Sequence, residues 1–232
     1  TLFRSGLLLA GGFALYTYQG LEQMAARNTG HLIVAHPEAF TKDEDTPLQH
    51  GLDDVPALTR RLLADPAVRQ VLPRVEFSGL ISNGDKSTVM VAVGIDPDAE
   101  FAVKGPFLKV TAGRVLGRDD HAGVMLGERL ARSLKATPGS SLTLLASTVD
   151  GALNALDVTV QGIVATGVPE MDARLVYTDV ATAQQLLGSP RVSSLGVFLD
   201  RMASTGPAQA RLGAQLPGLA VQTWLEQATF YK

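Results

Sequence analysis

Residues 71–95 read VLPRVEFSGLISNGDKSTVMVAVGI, and this stretch decides the class of fold. Val71, Pro73, Val75, Phe77 and Gly79 alternate with Leu72, Arg74, Glu76 and Ser78, the two-residue period of a β-strand. Asn83-Gly84 follows, a pair in which both residues tolerate positive φ, so a hairpin is predicted there. The return strand spans 88–95 and places Val89, Val91, Val93 and Ile95 on one face. An antiparallel ladder is therefore built into the sequence.

Upstream, residues 31–35 (HLIVA) form a short strand ended by Pro37. Residues 38–54 hold six carboxylates (Glu38, Asp43, Glu44, Asp45, Asp53, Asp54) against Lys42, the pattern of a solvated loop. Val55, Leu58 and Leu62 mark a helix face with Asp53 or Asp54 as N-cap and Asp65-Pro66 as terminator. Downstream, an irregular stretch containing Pro97, Gly105 and Pro106 leads to a helix face at Leu126, Leu130 and Leu134, stopped by Pro138-Gly139. Strands at 142–148 and 156–164 form a second hairpin turning at Asp150-Gly151. Then come a strand at 174–177 and a helix capped by Asp179, running through Ala183, Leu186 and Leu187 to Gly188. A strand at 195–199, a helix from Pro207 through Leu212 and Leu216, and a strand at 219–224 complete the pattern.

Two β-α-β units emerge: 31–35, 54–64, 71–78 near the front, and 195–199, 207–216, 219–224 near the end. Together they make one ferredoxin-like split β-α-β layer. The expected fold is α+β, with residues 30–85 and 173–232 forming that layer and 86–172 an inserted mixed α/β part.

The first residues read differently. Residues 5–21 (SGLLLAGGFALYTYQGL) carry no charge and lie between Arg4 and Glu22. A membrane-spanning helix needs about 17–25 apolar residues, small residues suit packing in lipid, and Tyr16 and Tyr18 suit an interface. The preferred reading of 1–29 is the C-terminal part of a transmembrane helix running into a stalk that ends at Gly30. A signal peptide would need a small-x-small cleavage site at the close of the apolar run, and residues 15–21 before Glu22 hold none. A buried amphipathic helix would carry Gly11 and Gly12 at a cost of about 1 kcal/mol each. A few non-native residues at the start are a third alternative.

The 232 residues include 20 Lys+Arg, 23 Asp+Glu and no Cys, and 46% are hydrophobic. That share supports a packed core. A net charge of −3 argues against nucleic acid as a partner. The lack of Cys excludes disulfides and thiol nucleophiles. The sequence holds no G-x-S-x-G elbow, phosphate loop, H-E-x-x-H or G-x-G-x-x-G. His31 and His36 point to opposite faces of a regular strand, so a metal site built from them and His50 would need the acidic loop to fold back; these histidines are read as surface or loop-packing residues. Asp119, Asp120 and His121 could support acid–base work, but they sit in a polar turn between Gly117 and Gly123. Glu170 and Asp172 read as turn chemistry. No catalytic, cofactor or metal residue is assigned.

These segments, in their order, resemble the extracytoplasmic domain of bacterial MacB/FtsX-like ABC-transporter permeases, most of all the lipoprotein-releasing LolC/LolE type. The stretches that carry the resemblance are Gly30-His31-Leu32-Ile33-Val34, PRVEFSGLISNG at 73–84, Gly113-Arg114, VMLGERLA at 124–131, PGSSLTL at 138–144, DGALNALDV at 150–158 and RLVY at 174–177. The resemblance implies four transmembrane helices with a large external domain between the first two, made of a ferredoxin-like porter part and an inserted sabre part. It implies location in the bacterial inner membrane, with residues from about 30 onward facing the periplasm. Residues 224–232 would descend toward the second span.

ATP and Mg²⁺ would belong to a cytoplasmic ABC ATPase, leaving this chain without a cofactor. A second permease subunit, identical or different, would complete a dimer, and membrane lipid would surround the helices. The implied function is to couple ATP-driven movement of membrane helices to the export or release of lipoprotein, lipid or another amphiphile. Leu21 and Met24 would be coupling residues on the stalk. In the lipoprotein-releasing relatives a hairpin loop grips a periplasmic carrier, and Val149, Asp150, Gly151 and Leu153 occupy the matching place. That stretch lacks a hook's proline-rich character, so an ordinary hairpin tip is the competing reading. A membrane-anchored binding or adaptor module without an ATPase, and a periplasmic hydrolase using Asp120 and His121, are the alternatives for the whole chain.

Overall fold

A computed structural model describes residues 29–40, 46–105 and 108–227. The expected membrane span and the coupling residues Leu21 and Met24 lie outside the described residues. Among the described residues no helix is long and apolar enough to cross a membrane.

The first unit matches the expectation closely. Strand β1 (Leu32–Ala35), helix α1 (Val55–Leu63) and strand β2 (Val68–Ser82) form the front β-α-β. The rear one comprises strands β9 (Ser194–Leu199) and β10 (Ala220–Thr223) with helix α6 (Thr205–Gln215) between them. The strands lie in the order β10-β1-β9-β2, every neighbouring pair antiparallel, which is the ferredoxin-like arrangement. Of the two candidate caps it is Asp54 that starts α1, accepting from the Ala57 backbone N–H, as an N-cap side chain does.

A bidentate pair ties the two helical arms together: Arg211 of α6 donates to both oxygens of Asp65 at 2.8 and 2.9 Å. Arg61 of α1 also donates to the Gln215 carbonyl. The Arg211 hydrogen bond holds the Asp65 carboxyl below the usual carboxylate range, against the opposing effect of burial. A depressed carboxyl stabilises the fold above its unfolded pKa of about 3.9 and loses that contribution as pH falls through the lower folded value. Asp65→Asn is therefore expected to flatten the loss of stability below about pH 4, leaving the contribution of Asp120 and Asp200, whose carboxyls are also held low. Urea unfolding across acid pH measures this; an unchanged pH slope would contradict the assignment.

The second unit is built on the same β2. Its strands are β3 (Ser87–Ile95), β4 (Lys109–Gly113), β5 (Gly123–Gly127), β6 (Ser141–Ser147), β7 (Leu153–Ala165) and β8 (Leu175–Asp179). The pairings β2-β3-β8-β5-β7-β6 return to β2, where Leu80–Ser82 pair with Thr143–Leu145. The sheet thus closes on itself, and β4 adds to β7 outside the ring. Closure removes most of the unpaired strand edge an open sheet would present. Helix α5 (Val180–Leu187) packs against β2, β3, β6, β7 and β8 and covers one end of the ring. It starts at its Asp179 cap and stops at Gly188, φ 68°, as predicted.

Several expectations are corrected. The ladders change partners on β2 at Arg74 and resume the first sheet at Ser194. Residues 75–82 pair with β3 and β6, and β8 pairs with β3 and β5, so these segments contribute to the ring as well as to the chain's 30–85 and 173–232 stretches. The stretch read as irregular contains helix α2 (Pro97–Lys104), capped by Asp96 with Pro at its first turn; that start signal was outweighed by Gly105 and Pro106. Leu126 lies on β5, and only Glu128–Ser133 is helical (α3). All five residues of β5 are buried. Val124 and Leu126 face the ring interior with Met90, Ala92 and Val176, while Met125 packs outside it against Phe101, Leu116 and Tyr177. A strand covered on both faces shows no alternation, so its apolar run was indistinguishable from helix.

The valines of β3 do share one face, and it is the outer one. Val89 and Val91 are 53% and 43% exposed, whereas Met90 and Ala92 are fully buried. Further along the same face, Ile95 is covered together with Phe101 of α2. At the hairpin, Gly84 takes positive φ (92°) but Asn83 does not. Instead, Asn83 Oδ1 accepts from the backbone N–H groups of Asp85 and Lys86, and Nδ2 donates to Leu134 O at 2.8 Å, docking the turn on the end of α3.

Candidate functional site

The residues singled out by sequence fall in separate places, and one further feature emerges from the fold. The β6–β7 tip holds Val149, Asp150, Gly151 and Leu153. Thr148 N–H donates to Ala152 O (2.7 Å), Gly151 N–H to Thr148 O (2.9 Å), and Gly151 has φ 81°. The tip is fastened to α5: Val149 N–H donates to Leu187 O at 2.9 Å and Asn154 Nδ2 to Leu186 O at 2.9 Å. Val149 is half-buried, Asp150 and Gly151 are exposed, and Leu153 is 74% exposed. The tip thus presents one large apolar side chain on a short, rigidly based turn.

The acid–base pair proposed for hydrolysis is not assembled. Arg114 clamps Asp120 through both carboxylate oxygens, at 2.5 and 2.6 Å, and the Gly117 N–H donates to it at 2.7 Å. The Arg114 hydrogen bonds hold the Asp120 carboxyl below its ordinary value, and His121 is exposed. A carboxylate held ionised in this way is a poor proton donor and serves as a loop staple. Asp172, at the end of the short helix α4 (Pro169–Asp172), is likewise structural, accepting from the Thr166 N–H and hydroxyl at 2.9 and 2.8 Å. A surface cleft of about 490 Å³ beside α6 is lined by Pro66, Asp200, Arg201, Ser204 and Arg211. Its charged groups are engaged: Asp200 by Ser204, Arg211 by Asp65. The Ser204 hydroxyl donates to the Asp200 carboxylate at 2.7 Å, and among the described residues the lining includes no histidine or lysine to complete a relay.

The seam between the two units holds an ion pair that spacing alone did not foretell. Arg74, placed by the strand period opposite Val75, is buried and donates to Glu100 of α2 at 2.9 Å; Glu100 is 1% exposed. Because Arg74 is the last β2 residue paired with β9 and Glu100 belongs to the inserted part, the pair crosses the junction.

The histidines divide. His31 Nδ1 accepts from the Leu199 N–H at 3.2 Å, its ring meets Phe198 edge-on, and burial lowers its pKa; it is a packing residue, as expected. His36 and His50 come together, rings stacked with centroids 5.1 Å apart, and His50 Nε2 lies 3.2 Å from Glu38 Oε2. The segment beyond Pro37 does fold back: Leu48 is fully buried and Leu52 bridges to Val192. Among the described residues of this stretch, Leu48 and Leu52 are packed rather than solvated. Buried Leu48 and Leu52 were the available signal.

A split β-α-β layer carrying an inserted ring of strands defines the class of fold. The MacB-like periplasmic core domain matches residues 7–215, and the chain belongs to that family. It is similar to the lipoprotein-releasing system transmembrane protein LolE of Haemophilus influenzae, 27% identical over 149 residues, which cover 63% of this chain and 35% of that protein. The chain matches about a third of that relative's length. Among solved structures it shares its fold with the periplasmic region of MacB from Actinobacillus actinomycetemcomitans (TM-score 0.57, 16% identity, 89% of this chain and 96% of that one). It does so too with the extracellular domain of the noncanonic ABC-type transporter YknZ from Gram-positive bacteria (TM-score 0.59, 17% identity, 83% and 99%).

Proposed function

We propose that this chain is the extracytoplasmic part of an ABC-transporter permease subunit in the bacterial inner membrane. In this reading it carries ATP-driven movement of membrane helices to lipoprotein, lipid or another amphiphile on the periplasmic side. The family match over residues 7–215 carries the reading. The fold supports it mechanically: β2 runs unbroken through both units, and the Arg74–Glu100 pair fastens them across the junction. Close-packed elements move together, so a displacement entering at Thr29–Gly30 reaches the ring as rigid-body motion.

The chain itself catalyses nothing in this reading. ATP and Mg²⁺ act on a cytoplasmic ATPase, and a second permease subunit supplies the opposing domain. The exposed Leu153 at the β6–β7 tip is the point offered to a periplasmic carrier. The test uses the full-length permease with its ATPase in proteoliposomes. Leu21→Asp and Met24→Asp are each expected to preserve ATP hydrolysis and abolish transport. Transport at the unsubstituted rate would overturn the coupling route.

A further inference from the structure

We propose that His36, Glu38 and His50 form a binding site for a single divalent transition-metal cation of the zinc type. Each residue offers one ligand atom, and the three atoms lie within 4.8 Å of one another. Around a tetrahedral ion with bonds of about 2.0–2.1 Å, ligand atoms sit about 3.3–3.4 Å apart. The His50–Glu38 separation of 3.2 Å already meets that spacing, and the His36 ligand atom, within 4.8 Å of both, meets it after a shift of about 1.5 Å. Two imidazoles and one carboxylate suit zinc and its borderline neighbours over magnesium or calcium, which prefer all-oxygen shells. Three protein ligands leave the fourth position for water or an incoming group.

The ligands are held by backbone that owes nothing to a metal. His36 directly follows β1. The 3-10 helix Pro37–Phe40 carries Glu38, whose backbone N–H donates to His36 Nδ1 at 3.3 Å. His50 sits on a turn anchored on both sides. Leu48 before it is fully buried with φ 60°, and Leu52 after it exchanges both backbone bonds with Val192, at 2.7 and 3.2 Å. Between them Gly51 is required, because a Cβ there would lie 2.8 Å from the Arg191 Cβ. Holding a non-glycine residue in the left-handed region costs about 1–3 kcal/mol, so burial of Leu48 fixes the turn that carries His50 beside His36. The same turn reaches the β6–β7 tip, where a Cβ at Gly151 would meet the Thr46 methyl at 3.9 Å. A bound ion would fasten the end of β1 to the turn that lies beside the tip.

The test is titration of the tag-free, chelator-stripped full chain in detergent micelles. Zn²⁺ is followed by calorimetry and Co²⁺ by its visible absorption. One Zn²⁺ per chain is expected, with a Co²⁺ spectrum of tetrahedral intensity. His36→Ala and His50→Ala are expected to weaken binding about a hundredfold or more, beyond what changes outside the coordination sphere produce. His121→Ala, exposed and remote in sequence, should bind as the original does. Should either histidine variant fail to fold by circular dichroism, Glu38→Gln at the partly exposed position decides, by an altered Co²⁺ spectrum and weaker binding. Absence of stoichiometric Zn²⁺ uptake, or variants that bind unchanged, would overturn the proposal.

Discussion

Glu100→Leu is expected to lower the unfolding free energy by about 3–5 kcal/mol, the usual cost of leaving one partner of a buried ion pair behind, here the Arg74 guanidinium. Glu100 is 1% exposed and Arg74 6%, so neither charge can turn to water when its partner is removed. The double replacement Arg74→Met with Glu100→Leu removes both charges at similar volume and is expected to recover most of the loss, since such exchanges are often neutral or stabilising. Urea unfolding of the two single variants and the double variant measures the coupling. A single-variant loss below about 1 kcal/mol, the scale of an exposed pair, would mean that the pair does not bear on the junction. The same cycle bears on function: if the pair fastens the ring to the porter layer, the double variant should be stable yet less well coupled than the original.

Leu186→Ala is expected to cost about 2–5 kcal/mol, the range for truncating a buried leucine. The upper half of that range is favoured by geometry. Leu186 is fully buried, as are Ala183 and Leu187 beside it, and their helix covers the end of a closed ring whose strands are hydrogen-bonded to one another. Walls of that kind collapse poorly into a void. Approach on the neighbouring side is equally tight, since a Cβ on Gly94 would come within 2.7 Å of the Ala183 Cβ. Denaturant unfolding with an unchanged m-value checks the prediction; a loss under about 1 kcal/mol would show that α5 does not seal the ring. Leu153→Ser, at 74% exposure, serves as the comparison and should stay within about 0.5 kcal/mol.

What could be read from the chain tracks the range of the signals. The hairpin at 71–95, the caps Asp54 and Asp179, and the stop at Gly188 depend on residues within a turn of one another, and each was legible. The two β-α-β units were legible because each pairs a period-2 run with a period-3.6 run over a short connection. The histidine pair was legible as residues and not as a pair: fourteen positions separate His36 from His50 in the numbering, and only burial of Leu48 and the Leu52–Val192 bridge bring them together. Helix α2 and strand β5 were missed because Gly and Pro punctuation hid one, and coverage on both faces erased the alternation of the other.

By itself the sequence determined the α+β class, the split layer, the two hairpins and the family resemblance, all carried by periodicity, turn residues and order along the chain. Tertiary structure alone decided that the inserted sheet closes through Leu80–Ser82 against Thr143–Leu145, that β3 turns its valines outward, that Arg74 is buried against Glu100, and that Asp120 is bound to Arg114. The reason is physical. Local preferences act over a few residues, whereas which face of a strand is covered, and which charge finds a partner, depends on segments that meet only when distant strands have taken their register.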